Sequence, residues 1–214
     1  MGINIGDRVR PNESLGKVTK LHGEFRMAAM SGLVTVAAAA TTTAGHMFVM
    51  RNPSTTKSAI FRYLNANFIT TTGFGALQPL AYDLIVGRSS SASYTGGTAI
   101  DVGSTLASPK LRANQDTSIF TANTCRIATT AGLTAGTQTL DGMPLAQKGG
   151  LGSTAIGVAF DALLLDARDD GASVVRSPIT IGPSEVLVVR NVILMGATGV
   201  GYLTVNVEWD EVTI

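Results

Sequence analysis

The sequence predicts an all-β protein: an antiparallel β-sandwich, wound as a jelly roll, with long loops rich in Gly, Ser and Thr. Three observations lead there. Aliphatic runs are short, β-branched and bounded by Gly, Pro, Asn or Thr, which is how strands are punctuated. The last run alternates cleanly, with Leu203, Val205, Val207 and Trp209 on one face and Tyr202, Thr204, Asn206 and Glu208 on the other. That is the period of a half-buried antiparallel strand. No sustained helical period and no fixed repeat runs through the chain, and about ten short strands separated by turn signals suit a sandwich or barrel.

Taken in order, Leu33–Thr35 leading into the alanines is a first strand, and His46–Arg51 is a second, stopped by Asn52-Pro53. Lys57–Thr72 is long enough for two strands or one long bent one. Simple alternation there puts Ile60, Arg62 and Leu64 on one face and Ala59, Phe61 and Tyr63 on the other. Tyr82–Arg88 is the next strand, ended by Gly87 and the serine run 89–91. From Ser89 to Gly152 apolar runs are brief, so short strands and long loops are expected. Ala155–Arg168 reads as strand by its Ile156, Val158, Phe160 alternation, although Phe160, Leu163 and Leu164 would also fit one helical face. Ile179–Ile181 follows, then the turn Gly182-Pro183-Ser184, where Pro sets φ. Glu185–Met195 and the final strand read as a hairpin across the glycine-rich loop 196–201, whose glycines supply positive φ.

The 214 residues carry 16 Lys+Arg against 15 Asp+Glu, a net charge of +1, and only 14% are charged. This excludes a strongly basic nucleic-acid binder, an acidic disordered tail and a charge-rich coiled coil. A chain of this length buries about 70% of its unfolded surface, enough for one substantial domain. Residues 1–26 form an N-terminal arm or first strands in this reading, and residues 27–214 a single β-sandwich. Met27–Met50 lacks Asp, Glu, Lys and Arg, but its alanines, threonines and glycines insert poorly into hydrocarbon. It is read as two buried strands around a Thr/Gly turn, with no membrane span. The N-terminus has no apolar stretch after a basic start, so no secretory signal is expected.

Catalytic and ligand-binding patterns are sparse. Cys125, the single cysteine, excludes an internal disulfide. With only His22 and His46 beside it, the close-spaced pairs of a zinc site are missing. Lys148-Gly149-Gly150-Leu151-Gly152-Ser153-Thr154 has the glycines of a phosphate loop, but its lysine is on the wrong side, and it reads as a β-turn. Asp166–Gly171 has acids at the first and fifth positions of a calcium loop. Arg168 stands at the third, however, and Ser177 at the twelfth where a bidentate Glu belongs, so a solvated acidic turn is favoured. No Gly-x-Ser-x-Gly pentapeptide is present, and the carboxylates are scattered. The expectation is a protein that is not an enzyme and uses no cofactor or metal.

Arg8, Arg10, Lys17, Lys20 and Arg26 make the first residues mildly basic, diluted by Asp7, Glu13 and Glu24. Two readings stand side by side: an arm docking on a neighbouring subunit through Arg8 and Arg10, or a frayed terminus. Trp209, the only tryptophan, lies at the buried phase of the last strand and reads first as core, second as an interface anchor. Arg190, a charge within an apolar run, completes the candidate subunit interface of Arg8, Arg10, Trp209 and Arg190.

The stretches Pro178-Ile179-x-Ile181-x-Pro183-x-Glu185, Val188-Val189-Arg190-Asn191 and Gly199 to Trp209-Asp210-Glu211 resemble small virion proteins of tailed bacteriophages. So does Gly96-Gly97-Thr98-Ala99 leading into Lys110-Leu111-Arg112-Ala113-Asn114. The likeness covers about half the chain, mostly Tyr82–Asn114 and Ser177–Ile214, and its motifs are strands and turns. Residues 101–108 depart from it as an insertion. The resemblance implies a jelly-roll subunit that decorates or cements the capsid exterior, made in the bacterial host cytoplasm. Its implied partners are copies of itself, as a homotrimer, and the major capsid protein. Specific nucleic acid, membrane and small-molecule substrate are not among them. A tail, baseplate or head-fibre component is the alternative within structural proteins. A carbohydrate-binding jelly-roll module is the alternative outside them; it would need exposed aromatics over a groove, and aromatics are 6% of the chain. A small outer-membrane barrel would need aromatic girdles and a secretion signal, which are missing here.

Overall fold

The computed structural model describes residues 21–35, 45–88, 94–102, 117–168, 177–193 and 199–214. Its strands are β1 (Leu21–Met30), β2 (Val34–Thr35), β3 (His46–Arg51), β4 (Lys57–Thr72), β5 (Gln78–Arg88), β6 (Thr98–Ala99) and β7 (Cys125–Ile127). They continue as β8 (Thr139–Leu140), β9 (Ala146–Gly152), β10 (Ala159–Asp166), β11 (Ile179–Ile181), β12 (Val186–Asn191) and β13 (Val200–Thr213). One sheet runs β1-β13-β4-β10, with β2 added to β13 and β11 to β4; the other runs β6-β7-β3-β12-β5-β8, with β9 also on β5. Numbering the principal strands β1, β3, β4, β5, β9, β10, β12 and β13 from first to eighth, the sheets run first-eighth-third-sixth and second-seventh-fourth-fifth. This is the jelly-roll winding, and the predicted all-β antiparallel sandwich is the fold observed.

The inner faces follow from alternation. Phe25, Phe61, Leu64, Phe68, Leu203, Val205, Val207 and Trp209 pack against Phe48, Met50, Leu80, Tyr82, Leu84, Leu187 and Val189 of the opposing sheet. Each such side chain contributes about 1.5–3 kcal/mol by leaving water. Trp209 is the hub at one end of this core. It stacks on Phe25 at 5.3 Å and meets the edge of Phe120 at 5.7 Å. A second cluster of Val49, Ile85, Tyr94, Leu133, Val186 and Val188 lies on the other side of the β3-β12-β5 sheet.

Several expectations are corrected. The strands at 186–191 and 200–213 do not form a hairpin: β12 pairs with β3 and β5 in one sheet, while β13 pairs with β1 and β4 in the other. Chain neighbours pass from sheet to sheet in this winding, so an apolar-loop-apolar pattern does not imply pairing. Lys57–Thr72 is one strand, with a bulge opposite Glu208/Trp209 that shifts its phase. Phe61 and Leu64 therefore both face inward, and Leu64 does not share a face with Ile60. The glycine run at 148–152 is edge strand β9, not a turn.

Gly199 and Gly201 need no positive φ; their reason is space, since a Cβ on Gly199 would overlap the Phe74 ring and one on Gly201 the Ile69 carbonyl. Gly196, Ala197 and Thr198 lie outside the described residues, as do Ala37–Ala40, Arg8 and Arg10. Strand β1 begins inside the segment read as arm or first strands and runs across the 26/27 division. Residues 159–166 resolve to strand, not helix. Among the described residues no helix is long and apolar enough to cross a membrane.

Candidate interaction surface

The buried ionisable groups come first, because a catalytic centre would be sought among them. On the outer side of the β3-β12-β5 sheet, Arg190 stands directly opposite Asp83 on β5 and His46 on β3. Its guanidinium donates to both Asp83 oxygens, with Nε to Oδ1 at 3.0 Å. His46 is buried beside this pair with its ring 5.6 Å from that of Tyr94. Burial first, and the Arg190 charge second, depress its pKa to about 4. Across the core, the Glu211 carboxylate accepts from Ser118 Oγ at 2.6 Å, the Ile119 amide at 3.0 Å and Trp209 Nε1 at 3.1 Å. Burial pushes its pKa up, while those donors and Lys57 pull it back. The Cys125 thiol is raised by burial, which makes it inert as a nucleophile. Each of these groups holds strands or loops together; none opens onto a cleft with an acid, a base and a nucleophile converging.

The His46 geometry carries a pH prediction. In the unfolded chain its pKa is the ordinary 6.5, against about 4 in the fold. The unfolded state therefore binds more protons between these values. The stability due to neutral His46 is complete above pH 6.5 and is lost as pH falls towards 4. The loss reaches at most about 3 kcal/mol. Urea unfolding between pH 7 and 4 is expected to slope accordingly, and His46→Phe, which keeps the ring beside Tyr94, is expected to flatten the slope. An unchanged slope in the variant would assign it to other groups.

Two of the depressions formed by the described residues bear on a site. One, of about 390 Å³, opens between the sheets and is walled by Val86, Leu145, Leu164, Leu165, Pro178 and Ile179. Arg88 at its rim is already engaged by Asp141 and Glu185. The other, of about 380 Å³, is shallow and lies on the outer face of the β1-β13-β4-β10 sheet. There Arg26 pairs with Glu208 at 2.7 Å, and Arg168 pairs with Asp166 at 2.9 Å while its guanidinium sits 3.8 Å over the Tyr63 ring. Tyr63 is thus capped by a cation and is no open stacking platform. Among the described residues no group of three His, Cys, Asp or Glu is placed to hold a metal.

Of the interface residues expected from sequence, Arg8 and Arg10 lie outside the described residues. Trp209 is 1% exposed and belongs to the core, so it offers no area to a neighbour. Arg190 is taken by Asp83.

A different surface emerges from the topology. Stretches of the chain without Asp, Glu, Lys or Arg include 27–50, 63–82, 127–140, 149–160 and 191–207. The jelly-roll winding brings parts of all five to one end of the sandwich. Gly201 pairs with Val34 and Val200 with Thr72; Ala159 pairs with Ile69, and Gln78 with Gly152. Backbone bonds join the loops there: Ser31 to Leu203, Gly32 to Ala128, Phe74 to Ser153 and Gly157 to Thr70. Phe74, 2% exposed, plugs the centre, with no room for a Cβ on Gly152 or Gly199 beside it. Around it Met30, Leu33, Ile69, Leu77, Leu151, Ile156 and Val158 are exposed, Ile156 by 72%. Moving away from this end along the described strands, the first charges met include Asp161, opposite Asn67, Lys148, opposite Tyr82, and Arg126, two residues before Ala128. In the sequence, the first of these stretches stood out as a charge-free run, and the middle ones as part of the loop-rich region Ser89–Gly152. The others lack meaning until the winding places them side by side.

Comparison with known proteins returns no matching family, no curated relative and no solved structure.

Proposed function

We propose that the chain is a non-enzymatic structural subunit of a tailed-phage virion that binds and stabilises the capsid shell as a cement or decoration protein. The observation that supports this most is the charge-free end of the sandwich, where seven exposed aliphatic side chains lie among the described residues around buried Phe74. Exposed aliphatic side chains gathered at one end of a sandwich are commonly covered by a protein partner. Its neutral chemistry offers nothing to attract phosphates, acidic sugars or cations. A cement subunit works by removing area from water on neighbouring capsomers, and symmetry multiplies a weak contact through avidity. The virion assignment itself rests on the strand-and-turn resemblance of 82–114 and 177–214.

The test is co-sedimentation of the purified chain with phage heads assembled without it. Saturable binding, with a raised temperature of head disruption, is the expected result. Absence of binding to heads overturns the cement role, and capture by tails or baseplates instead would favour a tail component.

A further inference from the structure

We infer that the outer face of the β1-β13-β4-β10 sheet carries a binding site for a neutral oligosaccharide, seated in the shallow depression there and on the asparagines beside it. This goes beyond the structural-subunit reading and does not rest on it, since it concerns a sheet face and not the charge-free end of the sandwich.

Strand register places the side chains. Ala28 of β1 stands opposite Asn206 of β13, Asn206 opposite Asn65 of β4, and Asn65 opposite Leu163 of β10. On one side of this row lie Thr204, Asn67 and Asp161, paired in the same way. On the other side the row is Arg26, Glu208, Tyr63 and Asp166. The residues between the rows, Met27, Leu64, Ala66, Val205 and Val207 among them, belong to the core, so all three rows face outward. The depression is lined by Arg26, Ala28, Asn206, Glu208 and Tyr63, and its volume of about 380 Å³ falls within the roughly 300–1,000 Å³ of small-ligand sites.

Two features set this face apart from one that is merely solvated. Asparagine is disfavoured in strands, yet Asn65, Asn67 and Asn206 sit on the two central strands of the sheet. The Oδ1 atoms of Asn65 and Asn67 are also buried, with no hydrogen-bond partner among the described residues. Orphaned acceptors are uncommon in folded proteins, and a local breach of both strand preference and polar pairing is where a functional site is sought. Turning either amide about χ2 to meet a ligand hydroxyl breaks no bond of that oxygen, and χ2 of Asn is soft.

The chemistry selects the ligand. Arg26 is neutralised by Glu208 at 2.7 Å, and Arg168 by Asp166 at 2.9 Å and Glu208 at 3.7 Å. Neither cation is left over for phosphate or sulfate, and Asp161 repels anions from the next row. Apolar surface in these rows is confined to Ala28 and Leu163, 41% exposed, which is too little to hold a hydrophobic partner. Tyr63 is closed to stacking by Arg168, so recognition falls to hydrogen bonds. Amide, carboxylate and guanidinium groups offer donors and acceptors side by side, and a hydroxyl is both at once. The strands hold these groups roughly 5 Å apart across the sheet and roughly 7 Å apart along it, on the scale of one sugar ring. A sugar's C–H face would rest on Leu163 and Ala28. Because the groups stand on paired strands, little ordering is needed when the ligand arrives.

The test titrates the full chain with maltohexaose, cellohexaose and N-acetylchitohexaose by calorimetry, with heparin as the anionic comparison. Binding of at least one of the three neutral oligosaccharides is expected, with a Kd below about 1 mM that high salt leaves unchanged. The paired variant Asn65→Thr/Asn67→Thr is expected to weaken binding about tenfold or more. Its thermal midpoint is expected to hold or rise, because Thr suits a strand and leaves no orphaned amide oxygen. Asn206→Ala is expected to weaken binding likewise. Gln147→Ala, exposed on β9 of the other sheet, is expected to leave it unchanged.

Absence of binding to all three neutral oligosaccharides overturns the inference, as does binding that the asparagine variants leave undisturbed. Tighter binding of heparin, lost in high salt, overturns it in favour of a polyanion. Saturable attachment to phage heads without sugar binding would sink this inference and spare the cement reading. Sugar binding by a chain that ignores heads would do the reverse.

Discussion

Asp83→Ala is expected to lower the unfolding free energy by about 3–5 kcal/mol. Asp83 is 1% exposed, and the Arg190 side chain facing it across the strand pair is 16% exposed. Their bidentate contact is the only charged partnership described for either residue. Removing the carboxylate leaves a guanidinium on a sheet face packed by Tyr94, Leu133 and Val188, with neutral His46 as its neighbour. Breaking one half of a buried pair is far costlier than replacing both halves, because the orphaned charge keeps its desolvation penalty. The double variant Asp83→Ala/Arg190→Met is therefore expected to recover much of the loss. Trp209 is the single tryptophan, so its emission follows urea unfolding without ambiguity. Equal losses in the single and double variants would refute the account.

Glu211→Ala is expected to cost about 3 kcal/mol or more, since a buried donor left without its acceptor costs about 1–3 kcal/mol and three donors converge on this carboxylate. Two of them, Ser118 and Ile119, belong to the segment that brings Phe120 against Trp209 and Phe61. The third is Trp209 itself. Losing the acceptor frees that segment and uncovers the aromatic hub, so the folded-state Trp209 emission is expected to shift to the red as stability falls. Its pH dependence has the opposite sign to that of His46. The folded pKa of Glu211 is raised, so its contribution is greatest at low pH and is lost as pH rises through that folded value. Glu211→Gln is expected to remove this term while keeping one acceptor oxygen, and to cost less than Glu211→Ala. A variant with unchanged emission and unchanged midpoint would show that Phe120 is held by packing alone.

The extent to which the sequence was legible differs from element to element. Strand β13 was plain because from Val200 to Trp209 one face is core and the other more exposed, so hydrophobicity alternates with the pleat there. Strand β3 was equally plain because Asn52-Pro53 ends it. Strand β1 was left open between arm and strand: Phe25 and Met27 mark its inner face, while Glu24, Arg26 and Ala28 on the outer face gave the segment the look of a basic arm. The phase error at Leu64 has a local cause, a bulge that one-dimensional alternation does not encode. Trp209 fell to the core because its strand phase outweighs its amphipathic character.

Composition, period and turn chemistry alone determined that this chain is an antiparallel sandwich with loop-rich middle connections and small, uncharged side chains. These are properties of each segment and its immediate neighbours. Which strands pair, which acid meets which base, and where the charge-free stretches gather were decided by tertiary structure. Asp83 and Arg190, or Thr70 and Gly157, are far apart along the chain, and nothing in either segment specifies the other. They meet because burying two apolar faces against each other forces the strands to alternate between sheets. That winding collects at one end the stretches that carry no charge.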